Sequence, residues 1–343
     1  MSIVLLYTQS GRHLAEKIAD ETTLYIELMS TDCKMFKNGE INTKPKGNVR
    51  RKTVYIVTTG SGTSGWSLND TVMEILILLD ACKRADAGSI TLICPCFPYI
   101  RSDKKTSARE PIAAKVLANA MQPYINRLMV VDTHFSQFQG FFDIPVDNLY
   151  SVSLFSHYLK KYLGSSGQHR SNYVLVSPDH GGAKRIENYA ELLKMKHIVM
   201  NKKRDYTKIN TVIRTELLGS ENCTGKTGII IDDIIDTAGT ITCACDSLNQ
   251  YGFKDYILVA THGILSEPAL ERIMERDYIK KVIISDSIYN DQSCSKVEVV
   301  TTSLLLSNCI TEIETGGSIS QLFPEKSIFD SDEESDNEVI LTN

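Results

Sequence analysis

The stretch IIIDDIIDTAGT, residues 229–240, places carboxylates and small hydroxylated residues directly after an apolar run. Its isoleucines are β-branched and uninterrupted, which predicts a strand buried on both faces, as in parallel sheets. Asp232 and Asp233 fall at the predicted carboxyl end of this strand, where open α/β sheets bind their ligands. The small residues that follow lead into a predicted helix that stops at Gly252.

The residue types in this stretch favour a phosphorylated sugar. A turn that opens a helix offers free backbone N–H groups and the positive end of the helix dipole, which suit a phosphate. Thr237 and Thr240 add hydroxyl donors. Because phosphate repels carboxylates, Asp232 and Asp233 are assigned to sugar hydroxyls or to Mg²⁺. The alternative is a strand end with solvated acids and a Thr/Asp helix cap.

A basic segment, YIRSDKKTSAREP at residues 99–111, follows another predicted strand. It carries Arg101, Lys104, Lys105 and Arg109. Such a cluster suits a polyphosphate, because arginine offers fork geometry and lysine a point charge. A solvated basic loop is the alternative.

Two further strand ends carry candidate ligands. In VVDTHF, Asp132 and His134 are spaced i, i+2 and are expected on one face of a strand, where they could bind a metal or touch phosphate. In VSPDHGGAKR, Asp179 ends a predicted strand and could supply a second carboxylate to a divalent cation.

A charged segment at residues 201–228 begins with Lys202, Lys203 and Arg204. It is interpreted as a cationic arm that closes on a phosphoryl group, with a solvated charge run as the alternative. Together these segments predict phosphoryl or pyrophosphoryl transfer from a nucleotide to a sugar phosphate.

The elements that must position these residues alternate between apolar β-rich runs and amphipathic helices, which predicts βαβ units and mainly parallel sheets. The pattern repeats on either side of about residue 150. The predicted domains are residues 1–150, residues 151–326 with the arm at 201–228, and a disordered acidic tail at 327–343.

Composition excludes several classes of protein. The formal net charge of the 343 residues is −5, but residues 330–343 alone carry six acids and no bases, so the body is near neutral and no broad nucleic-acid surface is expected. No apolar stretch is long enough to predict a membrane span, and the N-terminus does not resemble a secretory signal. Nine cysteines without a framework of spacings predict free thiols and a cytoplasmic protein.

Two motifs are declined. GSGTSG, residues 60–65, matches a dinucleotide fingerprint, but the next predicted strand does not end in the required acid. GSENCTGKTG, residues 219–228, resembles a P-loop, but its glycine spacing is wrong and it precedes a strand rather than following one.

Several longer segments resemble one family. DDIIDTAGT resembles the phosphoribosyl-diphosphate loop shared by type I phosphoribosyltransferases and the synthetases that make their substrate. PCFPYIRSDKKTSAREPIAAKVLAN, DTHFSQFQGFFDIPVDNLY, SPDHGGAKR and THGILSEPALERI resemble signature blocks of ribose-phosphate diphosphokinase, over nearly all of residues 1–325. The resemblance implies two tandem α/β domains of the type I phosphoribosyltransferase kind, each a mainly parallel sheet flanked by helices.

The resemblance also implies a reaction, in which the diphosphate of ATP moves to the C1 hydroxyl of ribose 5-phosphate with Mg²⁺ and AMP is released. It implies a homo-oligomer, a hexamer of dimers, with the FKNGE segment reaching ATP in a neighbouring subunit. It implies that ATP is bound by Phe36, Asn38, Glu40, Arg101, Asp103 and Lys104. It implies that ribose 5-phosphate is bound by Asp179, Asp232, Asp233, Asp236, Thr237, Ala238, Gly239 and Thr240. The implied catalytic residues are Lys202, Arg204 and His134, and the implied metal ligands are Asp132, His134 and Asp179.

The chain departs from the family pattern at Ser102, where the family usually has glutamine, and at Thr133, which is usually apolar. A catalytically weak or inactive regulatory subunit of the same fold is therefore an alternative, although the arm and the acids are intact. A phosphoribosyltransferase is a second alternative, against which the RSDKK loop and the two-domain length argue.

Overall fold

A computed structural model describes residues 2–63, 65–164, 170–204, 212–218, 221–290 and 294–323, without the side chains of residues 202–204 and 212–216. The acidic tail at 327–343 and part of the arm at 201–228 lie outside the described residues. Two separate sheets, each mainly parallel and flanked by helices, confirm the predicted α/β class.

The first sheet has six strands in the order β2-β1-β5-β6-β7-β8, all paired in parallel. A separate antiparallel hairpin, β3–β4, projects from the same half of the chain. The strands are β1 Ile3–Tyr7, β2 Ile26–Leu28, β3 Thr31–Met35, β4 Ile41–Pro45, β5 Thr53–Val57, β6 Ser89–Ile93, β7 Arg127–Val131 and β8 Val146–Leu149.

The second sheet has seven strands in the order β11-β10-β9-β12-β13-β14-β15, and only the β10–β11 pair is antiparallel. The strands are β9 Tyr173–Ser177, β10 His197–Arg204, β11 Val212–Leu218, β12 Thr227–Ile235, β13 Asp255–Gly263, β14 Ile279–Ser285 and β15 Val297–Val300.

The helices lie between the strands, as βαβ connections require. The described helices are α1 Arg12–Glu21, α2 Leu68–Arg84, α3 Ala113–Met121, α4 Val152–Leu163, α5 Ala183–Leu193, α6 Gly239–Leu248, α7 Ala269–Met274 and α8 Ser303–Thr315. None of them combines the length and the apolar character that crossing a bilayer requires.

The apolar runs became central strands for the expected reason. Ile229, Ile230 and Ile231 are no more than 2% exposed because helices cover both faces of their sheet. Helix α2 begins with a capping box in which Ser67 and Asp70 exchange side-chain and backbone hydrogen bonds. All nine cysteines are free thiols, as the absence of a spacing framework predicted.

Some elements were not predicted. The hairpin β3–β4 is mostly polar, and Thr31 and Thr43 are among its few buried residues, so it lacks the alternation that marks a half-buried strand. The division at residue 150 stays a prediction. The structure adds that helix α8 packs on the first sheet, where Leu306, Cys309 and Ile310 join its core.

Helix α2 contains a carboxylate without an ionic partner in the described chain. Glu74 is fully buried, and both of its carboxylate oxygens lie within 3.2 Å of the backbone N–H of Gln9, which donates to them. Burial raises the pKa of Glu74 from 4.5 to about 7. The charged form is therefore disfavoured in the folded protein.

We expect the Glu74 carboxyl to lower the free energy of unfolding as the pH rises. The folded chain binds the proton of Glu74 more tightly than the unfolded chain, so stability falls from pH 4.5 to about pH 7, by on the order of 3 kcal/mol. Glu74→Gln removes the charge and keeps an oxygen for Gln9, so this loss should vanish. The measurement is the free energy of unfolding between pH 5 and 8, with exposed Glu187→Gln as the control. Identical pH profiles for Glu74→Gln and the parent chain would contradict the expectation.

Candidate active site

The two sheets meet at their carboxyl edges, where the candidate residues gather. His262, the second-to-last residue of β13, lies 2.9 Å through Nε2 from the backbone oxygen of Val131, the last residue of β7. The loop after β6 reaches the loop after β12 through Arg101 and Asp236, which lie 2.7 Å apart. The site is therefore assembled from both halves of the chain.

Asp232 and Asp233 lie within strand β12, shortly before its carboxyl end, rather than at the end itself. Strand β12 continues through Asp232 and Asp233 to Ile235, and Asp232 pairs with Ala260 of the neighbouring strand. The expected strand end was wrong because the continuous pairing with β13 extends past the apolar run. Asp233 is consequently buried, whereas Asp236 follows the strand and is partly exposed.

A residue that sequence reasoning missed, Arg185, binds both acids. It lies in the first turn of α5, and its Nη1 is 3.5 Å from Oδ1 of Asp232 and 3.7 Å from Oδ1 of Asp233. It belongs to the segment SPDHGGAKR, in which only Asp179 was singled out. One signal could have identified Arg185. It is a cation just after a predicted strand-to-helix turn, at the sheet edge where the acids Asp232 and Asp233 were expected to lack a partner.

His134 is the second partner of the buried acid. Its Nδ1 lies 2.6 Å from Oδ2 of Asp233, and this hydrogen bond raises the pKa of His134 above its usual 6.5. Burial opposes ionisation of Asp233, but the hydrogen bond from His134 and the charge of Arg185 together lower its pKa. The adjacent Asp232 has its pKa raised, by burial and then by the charge of Asp233. The site therefore holds an ionised Asp233 beside a histidine that favours its cationic form.

Asp132 has a different partner from His134. Strand β7 ends at Val131, so the expectation that both side chains share one strand face was wrong. Oδ2 of Asp132 accepts hydrogen bonds from the hydroxyl and the backbone N–H of Ser151 and from Oγ1 of Thr261, the last at 2.6 Å. This carboxylate joins the first sheet to the second.

The small residues after β12 form the turn that the sequence predicts. Ala238 is buried in the left-handed region, with φ +58°, and precedes helix α6. In the described chain no capping side chain accepts a hydrogen bond from the first-turn N–H groups of this helix. Thr237 and Thr240 are exposed beside them. Arg272 donates to the backbone oxygen of Thr237 at 2.9 Å and adds a cation at the turn.

The basic loop contributes Arg101 to the site and leaves Lys104 exposed. The charge of Asp103, in the same loop, helps to raise the pKa of His134, after the hydrogen bond to Asp233 and the charge of Asp233. Ser102, where the resemblance predicts glutamine, has a structural role. Its Oγ accepts from the backbone N–H of Ala113 at 3.3 Å and so caps helix α3.

Phe36, Asn38 and Glu40 lie at the tip of the hairpin β3–β4. They line a groove of about 610 Å³ together with Asp70 and Met73 of helix α2. In the described part of the chain, none of the three contacts Arg101 or the acids. The hairpin and the site are therefore separate places on one subunit.

The structure describes the side chain of Asp179 but not those of the arm residues Lys202 and Arg204. Asp179 is exposed, and its Oδ1 accepts from the backbone N–H of Gly182 at 3.1 Å. Lys202 and Arg204 lie on β10, but their side chains fall outside the described residues. Among the residues that are described, no group of three or more His, Cys, Asp or Glu side chains is placed to hold a metal ion.

Facing parallel sheets that bring a basic loop against an acidic turn are the architecture of an α/β transferase acting on phosphorylated substrates. Residues 3–124 match the profile of the N-terminal domain of ribose phosphate pyrophosphokinase, and residues 215–324 match that of the phosphoribosyl synthetase-associated domain.

Individual proteins are also similar to this chain over most of their length. Ribose-phosphate pyrophosphokinase 1 of Streptococcus pneumoniae is 39% identical over 93% of this chain and 96% of its own length. Ribose-phosphate pyrophosphokinase 2 of Enterococcus faecalis is 38% identical over 92% and 94%. The phosphoribosylpyrophosphate synthetase of Mycobacterium smegmatis superposes with a TM-score of 0.80 at 32% identity, over 92% of this chain and 100% of its own. The chain therefore belongs to the ribose-phosphate pyrophosphokinase family.

Proposed function

We propose that the chain transfers the β,γ-diphosphate of ATP to the C1 hydroxyl of ribose 5-phosphate, giving 5-phosphoribosyl 1-diphosphate and AMP. The observation that carries the proposal is the 2.7 Å contact between Arg101 of the basic loop and Asp236 of the sugar-phosphate turn. This contact brings the proposed donor loop and acceptor loop together across the two sheets.

The turn after β12 is the proposed site for ribose 5-phosphate. Its phosphate accepts from the uncapped N–H groups that open helix α6 and from the hydroxyls of Thr237 and Thr240. The hydroxyls of the sugar donate to the acids at the end of β12. The proposed contacts are those implied by the family, namely Asp179, Asp232, Asp233, Asp236, Thr237, Ala238, Gly239 and Thr240.

The triphosphate of ATP is proposed to lie along the basic loop, on Arg101, Asp103 and Lys104. The oxygen at C1 attacks the β-phosphorus, the bond from that phosphorus to the α-phosphate oxygen breaks, and the hydroxyl proton is released. His134 favours its cationic form, because Asp233 accepts a hydrogen bond from it, and is proposed to donate to a phosphate oxygen. Lys202 and Arg204 of the arm are proposed to neutralise charge on the moving group, since such transfers depend chiefly on positioning and charge stabilisation.

Magnesium is proposed to arrive with the nucleotide. Mg²⁺ keeps several waters and phosphate oxygens and needs only one or two protein ligands, so the absence of a three-residue cluster from the described residues fits this mode. Asp179 is exposed and is proposed as such a ligand, and His134 is proposed to lie beside the phosphates. Asp132 fits less well because its Oδ2 already accepts from Ser151 and Thr261. When bound, the ion would offset charge on the phosphates.

We also propose a homo-oligomer, arranged as a hexamer of dimers, in the cytoplasm. The hairpin residues Phe36, Asn38 and Glu40 line a groove of their own, which supports their acting on ATP held by a neighbouring subunit. Nine free thiols support a reducing compartment.

The test is product analysis with purified full-length protein, ATP, Mg²⁺ and ribose 5-phosphate carrying ¹⁸O at C1. We expect AMP and labelled phosphoribosyl diphosphate in equal amounts, and no AMP when ribose 5-phosphate is omitted. Formation of ADP instead of AMP would contradict diphosphate transfer. No product from an oligomeric preparation would favour the regulatory-subunit alternative.

A further inference from the structure

A cationic pocket lies at the amino edge of the second sheet, opposite the candidate active site. It has a volume of about 390 Å³ and adjoins the starts of strands β9, β10 and β12. From Lys226, which precedes β12, to Asp233 the extended chain spans roughly 20 Å. The pocket is therefore a separate place from the active site. Its lining includes Arg170, Tyr173, Lys194, Lys196, Glu221 and Lys226.

The charge of this pocket is strongly unbalanced. Of the described residues, four cations and one acid line it, in a chain whose formal net charge is −5. Glu221 is engaged by two of the cations, Lys196 at 2.6 Å and Lys226 at 3.5 Å. Among the residues that the structure describes, no carboxylate lies within ion-pair distance of Arg170 or Lys194. A single acid thus leaves most of the positive charge uncompensated.

The position of the two uncompensated cations is fixed by the backbone. Arg170 donates to the carbonyl oxygens of Gly164 and Leu193 at 3.2 and 3.3 Å, which holds its guanidinium beside the end of helix α5. Lys194 ends that helix in the left-handed region, with φ +51°, where glycine or asparagine is usual. The charges of both residues, after burial, lower the pKa of the nearby Lys160 ammonium. Both cations lie at the end of helix α5, where Arg170 contacts the carbonyl of Leu193 and Lys194 is the next residue.

We propose that this pocket binds a small phosphorylated anion, of the size of a nucleoside polyphosphate. The cations would bind the phosphates, because charge-assisted hydrogen bonds favour such a group. Tyr173 and the largely buried Met195 give the pocket an apolar wall against which a base or sugar can pack. The volume lies within the range of small-molecule sites.

The pocket also has a direct structural connection to the proposed machinery. Strand β10 begins just after Lys196 and ends with the arm residue Arg204. Strand β12 begins just after Lys226 and carries Asp233 near its other end. A ligand bound at the amino edge would thus contact the starts of two strands whose other ends reach the proposed transfer site.

The test is calorimetric titration of the full-length protein with inorganic triphosphate and, separately, with ADP. We expect two classes of site, because the nucleotide loop also binds phosphates. Lys194→Glu should weaken one class by about tenfold or more and leave the other unchanged. Lys194→Asn, which tolerates the left-handed backbone, should weaken it less. Lys280→Glu reverses a charge at the same sheet edge outside the pocket and should change neither class.

Two results would overturn the proposal. One is a Lys194→Glu isotherm that matches the parent chain for both probes. The other is an equal loss in Lys280→Glu, since that would mark a general charge effect. The basal rate of AMP formation serves as a check on folding. We expect it to be unchanged in all three variants, because none of these residues lies in the proposed machinery.

Discussion

Replacing Lys202 with alanine should lower the rate of AMP formation by about a hundredfold to a thousandfold, the usual cost of removing one donor to a transition-state charge. The residue lies two positions before Arg204, near the end of β10, and both cations belong to the proposed arm. The loss should fall on kcat more than on KM, because the arm is proposed to bind the group in transit rather than the resting substrates. Initial rates at varied ATP and ribose 5-phosphate provide the measurement.

Lys203 offers a matched control, since Lys203→Ala removes the same charge one residue along the same strand. We expect its kcat to stay within about threefold of the parent value, a change small beside the expected loss at Lys202. Equal losses at both positions would show that only the total charge of the arm matters. A Lys202→Ala chain with normal kcat would exclude the arm from the chemistry.

Much of the fold follows from local sequence. The apolar runs, including Ile229 to Ile231, predicted central strands because burial on both faces needs uninterrupted apolar residues. The alternation of strands and helices predicted parallel sheets for the same local reason. The hairpin β3–β4 escaped prediction because its stability comes from helix α2 beneath it, and its own residues are mostly polar.

The site was predictable in its residue types and less so in its pairings. The acids, the histidine and the basic loop were identified because each follows an apolar run that predicts a strand or lies within a few residues of its end. Which of them meet depends on how one sheet lies against the other, and no local pattern encodes that. His134 was therefore grouped with its sequence neighbour Asp132, whereas the structure pairs it with Asp233, 99 residues away.

Arg185 is another pairing that local sequence did not predict, and replacing this residue should have the second large effect. One guanidinium nitrogen lies within 3.7 Å of both Asp232 and Asp233, and Asp233 is only 7% exposed at its side chain. Among the residues that the structure describes, removing this cation leaves two adjacent, largely buried carboxylates with His134 as their remaining counter-charge. Breaking a buried pair from one side typically costs 3–5 kcal/mol, so we expect Arg185→Met to lose roughly that much unfolding free energy at pH 7.5.

The pH dependence of this loss identifies its cause. The lowered pKa of Asp233 means that its ionised form contributes stability above pH 3.8, and that this contribution is lost as the pH falls through the folded pKa. Without Arg185 the acids should take up a proton at higher pH, so the deficit of Arg185→Met should shrink between pH 7.5 and pH 5. Chemical unfolding across that range is the measurement. Lys184→Met, an exposed neighbour on the same helix, should change stability by less than about 0.5 kcal/mol.

A double variant separates charge from packing. If the deficit arises from carboxylate repulsion, adding Asp232→Asn to Arg185→Met should restore part of the stability, because one of the two charges is gone. Arg185→Lys should lose less than Arg185→Met, since it keeps a cation but not the planar guanidinium that reaches both acids. A deficit that is the same at pH 5 and pH 7.5, and that Asp232→Asn does not relieve, would show that Arg185 stabilises the fold through the packing of its side chain rather than through its charge.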